Sequence, residues 1–525
     1  MTDHVKANSR TRNSLVNLVT GIGGQMCSTI LKFVVRSIFI YTLGKSYLGI
    51  NGLFSNILTM LSLTELGFDT AINFKLYKPL ADGDEKRVRL LMKFYRQAYR
   101  VIGTVILILG LCLIPALPHL IKDYDSMAVL GINAVLIFLL HIARSVCSYW
   151  FFAYRAAILK ANQKRYIIDV VEFFVNLATS GIKIIVLVVF KNFVLYTASV
   201  IVSNITENFI TAYITKRRYP QFFEKEKENL PRNEIVEMIK DCGALFVYKL
   251  NHVVVKSTDN IVISSFIGLE AVGMYSNYLL FYTTFQTLFD KVDAAVKASM
   301  GNLFATESVE KQYRFFQIMN YISVLLFGTA CSGVAVCADE LITAWVGPDY
   351  VVGGMFATLI GIEIFSHGLR INLGQIRNVS GVFQQMWFRP ALGIVVNLGV
   401  SIALVQVCGI HGVIIGTIVS DITTNFMIDP TVIHKYSFKN YKPVSVYYLQ
   451  ILGYGLVLSA VTALDLWISN VFFVGHGWLS VIVHGVIVSV TVPGAFIAIY
   501  WNSHECQYLL ALIKRILQTV KKRHA

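Results

Sequence analysis

Apolar stretches of about 20 residues recur along this chain from end to end, and a helix of that length is what crosses the hydrocarbon of a bilayer. Roughly 14 such stretches can be placed in the 525 residues. They lie near 15–42, 47–76, 98–121, 127–153, 166–190, 193–215, 241–268, 271–300, 314–338, 351–380, 387–408, 410–433, 446–469 and 477–501. Only 15% of the residues are charged, against about 25% in a soluble domain, and the mean hydropathy is +0.60. The stretches are continuous rather than alternating, which excludes a β-barrel. The expected fold is an all-α polytopic membrane protein.

The formal net charge of +15 does not read as nucleic-acid binding, because the basic residues sit in alternate short connections. Lys75, Lys78, Lys86, Arg87 and Arg89 follow the second stretch, Arg155 to Arg165 the fourth, and Lys216 to Arg218 the sixth. Lys311 and Arg314 follow the eighth, Lys435, Lys439 and Lys442 the twelfth, and Lys514 to Arg523 close the chain. The intervening connections carry little basic charge. Under the positive-inside rule both termini face the cytoplasm. No connection is long enough for a soluble catalytic domain. P-loop, HExxH and GxSxG signatures are missing from the sequence, which leaves no enzyme reading and no ATP hydrolysis. The eight cysteines form no CxxC pair and are expected as buried small hydrophobes rather than metal ligands.

The chain also repeats itself. Lys32, Gly44 and Gly49 fall on Lys256, Gly268 and Gly273, each 224 positions on, and VSNITENF at 202–209 matches VSDITTNF at 419–426. Agreement at both ends of a six-span unit predicts two lobes related by a pseudo-twofold along the membrane normal, around a central cavity. The expected organisation is a first lobe over 1–220, a cytoplasmic linker over 221–240 and a second lobe over 241–440. Two extra spans and a basic tail occupy 441–525.

Several spans carry charge where hydrocarbon would be cheaper. An ionised side chain at the bilayer centre costs about 2.5–3.5 kcal/mol on insertion scales, so such residues usually face a watery cavity. Lys32 and Arg36 lie four apart on one helical face, Lys249 and Lys256 share the seventh span, Arg370 lies in the tenth and Arg144 in the fourth. Each either snorkels to the interface, pairs with an acid, or joins the others around a basic cavity. Such a cavity would hold a phosphate or pyrophosphate head group. Glu65, Asp69, Asp259 and Glu363 either balance these cations or couple transport to an ion.

The run FIYTLGKSYLGINGLFSNILTMLSLTELGFDTAINFKLYKPLADGDEKRVRLLMKFYRQAYRVIG resembles the N-terminal signature of bacterial polysaccharide flippases. These belong to the multidrug, oligosaccharidyl-lipid and polysaccharide exporter superfamily. The resemblance extends to length, span number and lobe organisation. It implies 12 core spans, two extra spans that form a groove for a lipid tail, and alternating access through a cationic cavity. The implied cargo is an oligosaccharide repeat unit on undecaprenyl pyrophosphate, moved from the inner to the outer leaflet for capsule, exopolysaccharide or O-antigen synthesis. That cavity role is carried to Lys32, Arg36, Lys256 and Arg370. No cofactor is implied beyond the membrane potential or an H⁺ or Na⁺ gradient. The partners are the lipid-linked glycan, membrane lipids, a glycan polymerase and other assembly proteins. Three rivals stand beside this reading: a lipid-linked peptidoglycan precursor flippase, an ion-coupled multidrug exporter and a membrane glycan polymerase or ligase.

Overall fold

A computed structural model describes residues 27–62, 68–122, 124–129, 131–224, 226–382, 384–472 and 477–524. The described chain is all α, without strands. In order the main helices are α1 (27–43), α2 (Lys45–Leu61), α3 (Phe68–Asp82), α4 (Glu85–Leu113), α5 (Ala134–Trp150), α6 (Arg165–Ile185), α7 (Phe193–Arg218) and α8 (Arg232–Phe266). They continue as α9 (Leu269–Thr306), α10 (Val309–Val346), α11 (Phe356–Ser380), α12 (Arg389–Cys408), α13 (Ile410–Asp421), α14 (Val444–Phe472), α15 (Trp478–Ile499) and α16 (His504–His524). A π-helical turn, Ile422–Phe426, extends α13 toward a further helix, Ile428–Tyr436.

Among the described residues, eight helices are long and apolar enough to cross a membrane, and a ninth span is Ala134–Trp150 with Ala153–Ala161, bent by 41°. The chain is a multi-pass membrane protein. The expected spans outside this set are the first, second, seventh, eighth and tenth. Four of those five are the pairs that the sequence repeat relates, and the five carry most of the intramembrane charge. The described parts of the first two, α1 (27–43) and α2 (Lys45–Leu61), are 17 residues each.

The chain groups into two compact units, Met1–Gly273 and Met274–Ala525. Within the first, the repeated glycines adopt one local geometry. Gly44 has φ 84° between α1 and α2, and Gly268 has φ 131° between α8 and α9, a region that favours a residue without Cβ. The backbone bonds Leu48 N–H to Gly44 O and Val272 N–H to Gly268 O correspond across the repeat. Gly49 and Gly273 then let backbones touch reciprocally. A Cβ on Gly49 would lie 1.9 Å from the Leu269 carbonyl oxygen, and one on Gly273 would lie 2.4 Å from that of Lys45. Lys45 Nζ bridges Glu270 at 2.9 Å beside this contact. Valine at Gly49 is expected to cost about 1–3 kcal/mol by overpacking, read as a lower melting temperature of the purified protein. Unchanged melting would show that these backbones do not meet.

The 221–240 segment is strapped to the start of α4. Lys86 meets Glu228 at 2.8 Å, Arg87 pairs with Glu234, and Lys93 Nζ donates to the carbonyls of Glu226, Lys227 and Glu228. In the second unit α10, α14 and α15 share a core of Tyr321, Tyr454, Leu458, Val488 and Phe496. The cysteines correct one expectation. Cys331, Cys337 and Cys506 are buried, but Cys27, Cys112 and Cys408 are exposed, because an apolar thiol is equally at home on the outward face of a membrane helix.

Candidate functional site

Two polar stripes face one another inside the first unit. On α2, Ser55, Thr59 and Ser62 recur at four- and three-residue spacing, and on α5 His141, Arg144, Ser145 and Ser148 do the same. Between them lies a cavity of about 260 Å³ that also touches Asn204 of α7. Asn133 caps α5 by accepting from the Leu136 N–H at 2.9 Å, which fixes the helix start and the rotation of the stripe. Ser62 and Ser145 meet across the cavity at 3.4 Å.

The surrounding charges form one electrostatic cluster. Arg36 and Arg144 both act on the Tyr196 hydroxyl of α7. Lys183 of α6 feels Arg144 and Lys32, and Lys32 in turn acts on Glu207, which also feels Glu172. Among the described residues, four cations therefore stand against two carboxylates. No ion pair within 4 Å joins Lys32, Arg144 or Lys183 to an acid among the described residues. The excess positive charge sits between low-dielectric walls, where a field is focused rather than screened.

The second unit holds the counterpart, with a different charge balance. Sequence H-I-A-R at 141–144 recurs as H-G-L-R at 367–370, 226 positions on, and Asn204 corresponds to Asp421 in the other repeated motif. Arg370 Nη1 bonds Asp421 Oδ1 at 2.7 Å and Nη2 meets His367 Nδ1 at 3.0 Å; Ser366 and Asn425 complete the shell of Asp421 at 2.8 and 2.9 Å. Farther along, Asp429 accepts from Arg377 at 2.9 Å and Arg389 at 3.3 Å, and Arg389 also bonds Asn425. Arg370 is thus neutralised by its partner. The same repeat position carries an amide in the first unit and an acid in the second, and among the described residues no acid lies within 4 Å of Arg144.

Of the other residues singled out from sequence, Asp259 on α8 and Glu363 on α11 are each 1% exposed. Lys249, Lys256 and Asp69 are placed on their helices in backbone only, and Glu65 lies outside the described residues. The structure thus brings together Lys32, Arg36 and Arg144. Lys183, Tyr196, Asn204 and Glu207 join them and were not read from sequence. The signal was available: Lys183 is a lone cation in SGIKIIVLVV, and the two His-x-x-Arg words sit at equivalent places.

Over 92% of its length the chain is similar to 99% of the solved lipid II flippase MurJ in an inward closed conformation, with a TM-score of 0.63 at 14% identity. It is similar to 96% of an inward-facing multidrug resistance MATE family transporter of the MOP superfamily, over 79% of this chain (TM-score 0.55, 15% identity). The Vibrio cholerae MATE transporter VcmN is matched over 98% of its length and 82% of this chain (TM-score 0.53, 14% identity). The chain has the fold of these transporters. No protein-family model and no curated protein sequence matches it.

Proposed function

We propose that this protein is a flippase of the bacterial cytoplasmic membrane, with both termini cytoplasmic. Its proposed cargo is an undecaprenyl-pyrophosphate-linked oligosaccharide repeat unit, carried from the inner to the outer leaflet. The observation that carries this reading is the cation excess around Arg144. A phosphate head group cannot cross hydrocarbon unaided, and a basic chamber inside the first unit gives it a place to dwell. Lys32, Arg36, Arg144 and Lys183 hold the head group, Arg through its planar fork and Lys as a point charge. Lys249 and Lys256 are proposed to extend that surface along α8. The membrane potential, about 2.3 kcal/mol per charge per 100 mV, drives an anion outward, and no cofactor is needed.

A lipid-linked peptidoglycan precursor is the second reading, favoured by the likeness to MurJ and sharing the same head-group chemistry. A cationic drug is disfavoured by the sign of the cluster, and a glycan polymerase by the short outer connections. The test is flipping by the purified protein in vesicles, comparing an undecaprenyl-pyrophosphate oligosaccharide, a lipid-linked peptidoglycan precursor and a cationic dye. Movement of the first with little of the others supports the proposal, and movement of the dye alone overturns it.

A further inference from the structure

A second polar cluster lies in the second unit, away from the site above. It sits where α10 meets α14 and α15, near the ends of those helices opposite the basic connections. Glu340 Oε2, with its side chain 24% exposed, meets His484 Nδ1 at 2.8 Å. Ser480 donates to the same carboxylate oxygen at 3.3 Å, and Ser469 Oγ lies 3.4 Å from His484 Nδ1. One helical turn back from Ser469 is Asp465, 1% exposed. Thr491 donates to its Oδ2 at 2.9 Å, while Oδ1 is buried with no hydrogen-bond partner. Cys337 of α10 feels the charges of both Glu340 and Asp465. Among the described residues the titratable groups of this cluster are Glu340 and Cys337 from α10, Asp465 from α14 and His484 from α15.

We propose that this cluster is a proton-binding site, with Asp465 Oδ1 as the atom that takes the proton and Glu340–His484 as the route from the outer surface. Three observations converge on it. Glu340 has a partner able to balance its charge, whereas no Lys or Arg among the described residues lies within 4 Å of Asp465. An acid with a bare oxygen in an apolar joint changes its charge only by exchanging a small cation. Among the described residues no group of three His, Cys, Asp or Glu is placed to hold a metal ion, and the ligand proposed for the bare oxygen is a proton. Ser480 joins Glu340 and His484 at the outer end, and Ser469 beside His484 continues the path inward by a hydroxyl that can both donate and accept. The step is a simple transfer: a proton from the outer water passes through the Glu340–His484 pair and adds to Asp465 Oδ1, and its release restores the carboxylate.

The site ties α14 and α15, the two helices outside the repeat, to α10. On the transport reading given above, its occupancy would make flipping respond to a proton gradient. The primary test is independent of that reading. Infrared difference spectra of the full-length protein in lipid vesicles, titrated with pH, are expected to show a carboxylic-acid C=O band that appears on acidification. Asp465→Asn should remove that band, and Thr491→Val, which deletes the hydroxyl bonded to Oδ2, should shift its frequency while keeping it. Glu340→Gln should slow its appearance after a pH jump. A titrating band unaffected by both Asp465→Asn and Thr491→Val, or spectra that respond to Na⁺ and not to pH, would overturn the proposal. In the flipping assay Asp465→Asn should lose the response to a pH gradient and keep potential-driven transport. A flipping failure of the wild type, with the infrared band intact, would strike the transport reading alone.

Discussion

Replacing Asn204 by Asp is expected to reduce binding and flipping of a lipid pyrophosphate by about 100-fold while leaving the fold intact. The exchange installs in the first unit the acid that the second already carries at the equivalent position, where Asp421 holds Arg370 at 2.7 Å. A carboxylate about 4 Å from a cation at a surface-like effective dielectric interacts with it by about 4 kcal/mol. An incoming phosphate would have to displace that interaction and would meet a like charge as well. Each 1.4 kcal/mol is tenfold in affinity, so about two-thirds of the interaction is enough for two decades. The side chains are isosteric, so a merely structural role for Asn204 predicts little change. Flipping rates in vesicles and thermal melting, measured on one preparation, separate the two accounts. A variant that melts like the wild type but does not flip supports the charge argument.

The largest stability loss is expected at Asp429→Asn. Asp429 is 2% exposed and accepts from both Arg377 and Arg389, themselves 5% and 7% exposed. Removing its charge leaves two buried guanidinium groups without their shared anion, and breaking a buried pair from one side costs about 3–5 kcal/mol. The loss should appear as a clearly lower melting temperature in detergent. Melting equal to the wild type would mean that water reaches the three groups and compensates them. The paired change Arg377→Met with Asp429→Asn should recover part of the loss, since only Arg389 is then left without its anion.

Much of the architecture was legible because a membrane imposes a simple code. A helix crossing hydrocarbon must satisfy its backbone within itself, so span positions follow from apolar length, and the charged spans announce themselves as exceptions. Gly44 and Gly49 were legible as repeat partners of Gly268 and Gly273, and their reciprocal contact gives that pairing a physical reason. Lys32, Arg36 and Arg144 were legible as intramembrane charges. The rest of the site was hidden because its members are not all charged. Asn204 and Tyr196 are ordinary residues in isolation, and they matter through the cations that fold against them. Arg370 illustrates the converse. Its charge is plain in the sequence, but the acid that neutralises it lies 51 residues away, and nothing short of the folded second unit reveals the pairing. Asp465, Glu340 and His484 come together from three helices and escape any reading along one.

The account stands on the claim that the cation cluster of the first unit receives a lipid's phosphate head. The most direct measurement is equilibrium binding of undecaprenyl pyrophosphate to the purified protein by native mass spectrometry, with undecaprenol as the uncharged control. The predicted result is binding of the pyrophosphate over the alcohol, weakened roughly 10- to 100-fold in Arg36→Ala and in Arg144→Ala, as loss of one charge-assisted contact requires. Equal retention of both lipids, or pyrophosphate binding unchanged in both variants, would contradict it.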